Sequence, residues 1–216
     1  MKNTEQNENR TFKHKWEDFW YYHKVTVIIC IFILVFIAMF ISQFTSKIKT
    51  DLNISLITAD VVTEGSINFD ELLSDRIQDT NADGENNITL TRLFITGKED
   101  DEADEASRQN LEAQLANRGS VIFIFDAYNY ENAIKKDAFC PLNELIDVES
   151  YGDRVVYHNE KPMALSLKGS ALLADMGFSN DDLYALVLFR RPEDAQNETL
   201  NLQYENAAVV LNELMK

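Results

Sequence analysis

Between Val25 and Phe44 the chain reads VTVIICIFILVFIAMFISQF, 20 residues without a charge. An α-helix rises about 1.5 Å per residue, so this run matches a hydrocarbon core about 30 Å thick. Ile, Val and Phe favour strands in water. Inside lipid, however, every backbone N–H and C=O must bond within its own segment, which leaves helix as the form for a lone span. A core helix of a water-soluble domain would carry a polar face, and this run has none. A cleaved signal segment has a shorter apolar stretch and a small-residue cleavage site, which does not follow Phe44. The expectation is an uncleaved transmembrane helix over residues 25–44.

The flanks agree with a span. Trp16, Phe19, Trp20, Tyr21 and Tyr22 crowd its N-terminal side, where amphipathic rings sit at headgroup level. Lys13, Lys15 and Lys24 precede the run, and only Lys47 and Lys49 lie close behind it. That excess of basic residues places the N-terminus in the cytoplasm. The expected organisation is a cytoplasmic tail over 1–24, whose first twelve residues are polar and unordered, a span, a stalk over 45–50, and an extracellular domain over 51–216. The localisation expected is the plasma membrane, single-pass.

The net charge of −16 constrains the partners of that domain. Nucleic acid and anionic lipid are both repelled by so acidic a surface, whereas cations are attracted. Cys30 and Cys140 fall on opposite sides of the membrane boundary and cannot pair, so Cys140 is expected to pack as a small hydrophobe.

Downstream of the stalk the pattern alternates. Strands are predicted over 51–59 (DLNISLITA), 87–96 (NITLTRLFIT), 120–125 (SVIFIF), 163–167 and 183–189 (LYALVLF). Helices are predicted over 66–78, over 101–118 with acids in the first turn and Gly119 beyond its end, over 129–136, and over 196–215. The continuous apolar run 120–125 reads as a central strand buried on both faces. Strand and helix in alternation give an α/β domain with a compact mixed, mostly parallel sheet flanked by helices. The acidic run Glu99–Glu105 reads as a solvated helix start.

Asp79-Thr80-Asn81-Ala82-Asp83-Gly84-Glu85 is D-x-N-x-D-G, the opening half of a calcium loop. Calcium is a hard cation that takes six to eight oxygens, and alternate positions of a tight loop converge on one point. Asp79, Asn81 and Asp83 would supply side-chain oxygens, Glu85 its carbonyl, and Asn87 an oxygen directly or through water. The twelfth position, where a full EF-hand has a bidentate Glu, is Leu90, and strand follows instead of helix. The competing reading is a polar turn built of turn-favouring Asn, Asp and Gly.

Other chemistry has little footing. His158 is the sole histidine after the span, and no nucleophile elbow, zinc motif or phosphate loop occurs. Asp126, Tyr128 and Tyr130 follow the central strand at the carboxyl end, where α/β sheets bind ligands, and the tyrosines read equally as packing.

The stretch GSVIFIFDAYNYENAIKKDAFCPLNELID resembles a segment of bacterial extracellular solute-binding proteins, in which a glycine-led apolar strand ends in Asp and a helix and a "pLneL" turn follow. EKPMALSLKGS is similar to their later "kpyalPl" stretch. The order of a WYYxK belt, one span and a D-x-N-x-D-G loop also resembles single-pass membrane proteins of Firmicutes. The resemblance implies one lobe of a solute-binding fold, since about 165 residues do not make two. The expected function is a non-enzymatic extracellular binding module that engages a small ligand, a membrane protein or a transporter subunit. The alternatives are an assembly subunit that acts through its span, and a hydrolase with an acid pair not evident in sequence.

Overall fold

The computed structural model describes residues 3–45, 50–59, 69–98, 101–175 and 182–216. The chain divides into two units, Met1–Ile48 and Lys49–Lys216.

The first unit is helix α1, Asn3–Thr45. Its stretch Phe19–Ile37 is the one helical segment among the described residues that is long and apolar enough to cross a bilayer, a property shared by membrane anchors and signal segments. Helix is already present at Asn3, where the polar composition predicts an unordered tail. Propagating a helix from a long nucleated segment costs far less than starting one, so the apolar run extends helix into its neighbours. Within the aromatic belt Trp16 stacks on Phe19 at 5.9 Å and Lys24 lies 5.9 Å from the Tyr21 ring.

The second unit is a three-layer α/β domain. In chain order it contains β1 (Leu52–Thr58), α2 (Phe69–Leu73), β2 (Ile88–Phe94), α3 (Glu102–Asn117), β3 (Ile122–Asp126) and α4 (Ala127–Ala133). There follow β4 (Val155–His158), β5 (Lys161–Ser166), α5 (Ala171–Asp175), β6 (Leu183–Val187) and α6 (Glu198–Leu214), with short 3₁₀ turns between them. The predicted helix over 66–78 survives as α2 and a 3₁₀ turn, Ser74–Arg76, and its first three residues lie outside the described residues.

Six strands form one sheet in the order β2-β1-β3-β6-β5-β4. β1 pairs in parallel with β2 and β3, while β3 with β6, β6 with β5 and β5 with β4 are antiparallel. The sheet is therefore mixed and only partly parallel, which corrects the expectation of a mostly parallel one. The physical reason lies after β3. There the chain does not return through one long helix but builds the β4–β5 hairpin, whose two-residue turn holds Asn159 and Glu160 at φ 49° and 65°. β4 is a four-residue edge strand with no alternation long enough to read in sequence.

Period-two alternation sorts the strands' side chains onto two faces. Leu52, Ile54 and Leu56 of β1 join Ile122 and Ile124 of β3 against Leu73 of α2 and Ala207, Val210, Leu211 and Leu214 of α6. Ile57, Phe123, Phe125 and Leu186 face the other way, onto Leu111 of α3 and Ala133 of α4. β3 is central and buried on both faces, as its apolar run predicts. Cys140 is buried, and desolvation pushes its thiol up to about 12, so it stays protonated and packs as a hydrophobe.

Candidate functional site

Asp51 organises the 79–87 loop. Its side chain is fully buried just before β1. Oδ1 accepts from Thr80 N at 2.7 Å, Thr80 Oγ1 at 3.0 Å and Asn81 Nδ2 at 2.9 Å, and Oδ2 accepts from Asn87 N at 2.8 Å. Sequence gives no local signal for this residue, because its partners lie 29 to 36 positions away.

Within the loop, Asp79 Oδ1 accepts from the amides of Asn81 and Ala82, and Oδ2 from Gly84 at 2.8 Å. These backbone donors, Gly84 first, hold the Asp79 carboxyl below the usual carboxylate range. Asp83 accepts from Glu85 N at 3.1 Å. Gly84 sits at φ +87°, where a side chain would be strained. Asn86 anchors the loop to α2's end through the carbonyls of Ser74 and Ile77. Asn81 Oδ1 is buried and has no hydrogen-bond partner, an unusual state for a polar atom. Leu90, at the loop's twelfth position, lies in β2 opposite Ile54 and packs on the core. Among the described residues no three His, Cys, Asp or Glu side chains converge as a ready metal cage.

At the carboxyl ends of β1 and β3, Asp126 is occupied by the fold. Oδ2 accepts from Ala59 N, tying the two strand ends, and Oδ1 caps α4 through Asn129 N at 2.8 Å. Asn129 in turn donates to Ile95 O, the residue after β2. Tyr130 stacks on Tyr184 with ring centroids 4.5 Å apart, and burial raises its phenol above the ordinary value. Tyr128 lines a hollow, with 49% of its surface exposed. The structure thus places Asp126 and Tyr130 in packing roles and does not gather the three around one cleft.

A buried acid also closes the β2–α3 connection. Asp104 accepts from Thr96 N at 2.9 Å and Gly97 N at 2.8 Å, so the acidic run contains a structural carboxylate as well as solvated ones. The Thr96 amide, ahead of that of Gly97, keeps its carboxyl below the usual range. Stability from such a group is present above the ordinary carboxylate pKa and is lost as pH falls through the lowered folded value.

Three hollows lie on the α3–α4 face of the domain. A hollow of about 180 Å³ beside Tyr128 is lined by Ile95, Leu111, Phe125 and Asn132. A second, of about 370 Å³, lies between the C-terminal half of α3, the turn 136–138 and the end of β6, with Leu115, Arg118, Phe189 and Arg191 in its wall. A third, of about 200 Å³, lies between that turn and the β4–β5 hairpin. Lys136 lines all three, and its ammonium pairs with Glu112 of α3. Arg118 closes α3 in the left-handed conformation, φ 56° and ψ 42°, a place where glycine is usual. Its guanidinium is held by Asp194 at 3.0 Å and donates to the Phe189 carbonyl and to Tyr204 Oη. That network holds Arg118 in this conformation at the helix end, with Gly119 just beyond it as the sequence predicts. Lys136 and Arg118 carry no sequence signal of their own, since only the packing of α3, α4 and β6 brings them together.

No protein-family model, curated protein or solved structure matches this chain.

Proposed function

We propose that this chain is a membrane-anchored binding module, not an enzyme, with α1 crossing the bilayer, the N-terminal tail in the cytoplasm and the α/β domain outside. The observation that carries the reading is the run of hollows on the α3–α4 face that share Lys136 and are flanked by exposed Tyr128 and Phe189. Exposed rings beside concavities are the usual anchors of protein recognition. The polar groups at the carboxyl edge, Asp126 and Asn129, are engaged in holding strand ends and α4, which favours binding over chemistry there. The excess of Lys before the apolar run supports the orientation. A single solute-binding-like lobe, as the sequence resemblance implies, fits a partner protein in the same membrane, such as a transporter subunit.

The test uses the full chain in native membranes with a photo-crosslinking residue at Tyr128 or at Phe32 within the span. An adduct to a discrete protein from position 128 is expected. Adducts from position 32 alone would replace this reading with an assembly subunit acting through its span. Protease added to whole cells is expected to digest the domain, and protection of the domain would reverse the topology.

A second reading concerns the 79–87 loop, which we propose takes one calcium ion. The buried, unpartnered Asn81 Oδ1 favours it, because an ion held by Asp79, Asn81, Asp83, the Glu85 carbonyl and Asn87 would satisfy that atom. A ligand at about ten times its dissociation constant stabilises by about 1.4 kcal/mol, a shift of a few degrees in Tm for a domain of this size. Millimolar calcium is expected to raise the melting temperature, and Asp83→Ala to remove the gain. Superimposable curves in calcium and in chelator would leave the loop as a turn held by Asp51.

A further inference from the structure

The acidic balance of the domain reverses around the turn 136–138. From Thr50 onward the chain carries 13 Lys and Arg against 32 Asp and Glu. Five of those cations, Arg118, Lys135, Lys136, Lys161 and Arg191, line the two hollows on either side of the turn, where Glu112 and Asp137 are the only lining acids among the described residues. Arg118 and Lys136 are held by Asp194 and Glu112. The side-chain nitrogens of Lys135, Lys161 and Arg191 have no partner among the described residues. The hollows also have apolar walls, Leu115 and Phe189 in one and Phe139, Pro141 and Met163 in the other.

We infer that these two hollows bind an acidic segment of a partner protein, its carboxylates against Lys135, Lys161 and Arg191 and its apolar side chains on Phe189 and Met163. The inference rests on the binding-module reading and names the chemistry of the partner. Volumes of about 370 and 200 Å³ take a few side chains of a docked segment, not a folded domain. Apolar walls between cations favour a peptide over a phosphate polymer, which has no apolar groups to place there. A long polyanion would also run past the groove onto a surface with its own large acidic excess and be repelled, whereas a short segment ends within it. Asp137, which lines both hollows, is among the described residues the lining acid that opposes such a ligand without being tied to a cation.

The experiment uses the full chain in neutral-lipid nanodiscs and measures fluorescence anisotropy with three probes. These are a labelled peptide rich in Asp and Phe, the same peptide with Asn for every Asp, and inorganic polyphosphate as competitor. The acidic peptide is expected to bind and the Asn peptide not. Lys135→Ser with Lys161→Ser should weaken binding about tenfold, and Asp137→Asn should strengthen it about threefold, because close charges at an interface couple directly. A fold defect cannot produce that gain. Equal binding of both peptides, displacement by polyphosphate at matched charge, or weakening by Asp137→Asn would each overturn the inference. Failure of both peptides to bind while position 128 still crosslinks a partner would sink this inference alone. Failure of both experiments would remove the binding-module reading as well.

Discussion

Asp51→Ala is expected to cost about 3 to 5 kcal/mol of domain stability. The substitution strands the Thr80 and Asn87 amides, the Thr80 hydroxyl and the Asn81 amide group in a buried site, and each stranded buried donor costs about 1–3 kcal/mol, part of it recovered by water in the vacated space. Against a typical total of about 5–15 kcal/mol, such a loss is about a fifth of the whole or more. Asp51→Asn keeps one acceptor oxygen but turns an N–H toward a donor, so a smaller loss of about 2 kcal/mol is expected. Both tryptophans, Trp16 and Trp20, lie in α1, so their fluorescence does not follow the domain. Pulse proteolysis of the full chain across a urea series does, and hydrogen exchange at Thr80 and Asn87 locates the effect. An unchanged urea midpoint for Asp51→Ala would show that the loop holds itself without the carboxylate.

Phe123→Ala is expected to be as severe, at about 3 to 5 kcal/mol, by a different route. Phe123 is fully buried in β3. Its ring lies 6.2 Å from that of Phe125 and 5.7 Å edge-on from Phe139, and Phe125 meets Phe139 at 5.9 Å, also edge-on. Removing it leaves a cavity beneath α3 and α4 and breaks two aromatic contacts worth more than their area alone. Phe123→Leu, which retains most of the volume, should lose less than half as much. The same urea series distinguishes the two, and equal midpoints for Phe123→Ala and the parent would mean that the aromatic cluster is not the core of this face.

The sequence is most informative where a physical requirement is local. Asp101 caps α3 by accepting from Ala103 N, and α6 runs from an Asn197 cap that accepts from Leu200 N, both through short-range contacts that residue order displays. The strands β1, β2, β3 and β6 were legible because alternation or a continuous apolar run needs no distant partner to be seen. β4 was not, because a short edge strand draws its definition from the neighbour it pairs with. The same limit applies to the candidate sites. D-x-N-x-D-G names a loop, but the residue that holds the loop, Asp51, precedes a strand on the far side of α2. Asp126 reads in sequence as a candidate ligand group at a strand's carboxyl end, and the structure adds that its oxygens accept from the amides of Ala59 and Asn129.

Residue order alone determined the long apolar helix, the α/β character of the domain beyond it and the central place of β3, since hydrophobic length and period act on the chain locally. Tertiary structure decided the reversed direction of β6 and β4, the burial of Asp51 and Asp104, and the gathering of Lys136, Arg118 and Arg191 on one face. Each of those depends on contacts between segments far apart in the chain, whose energies come from desolvation and pairing that exist only once the layers have packed.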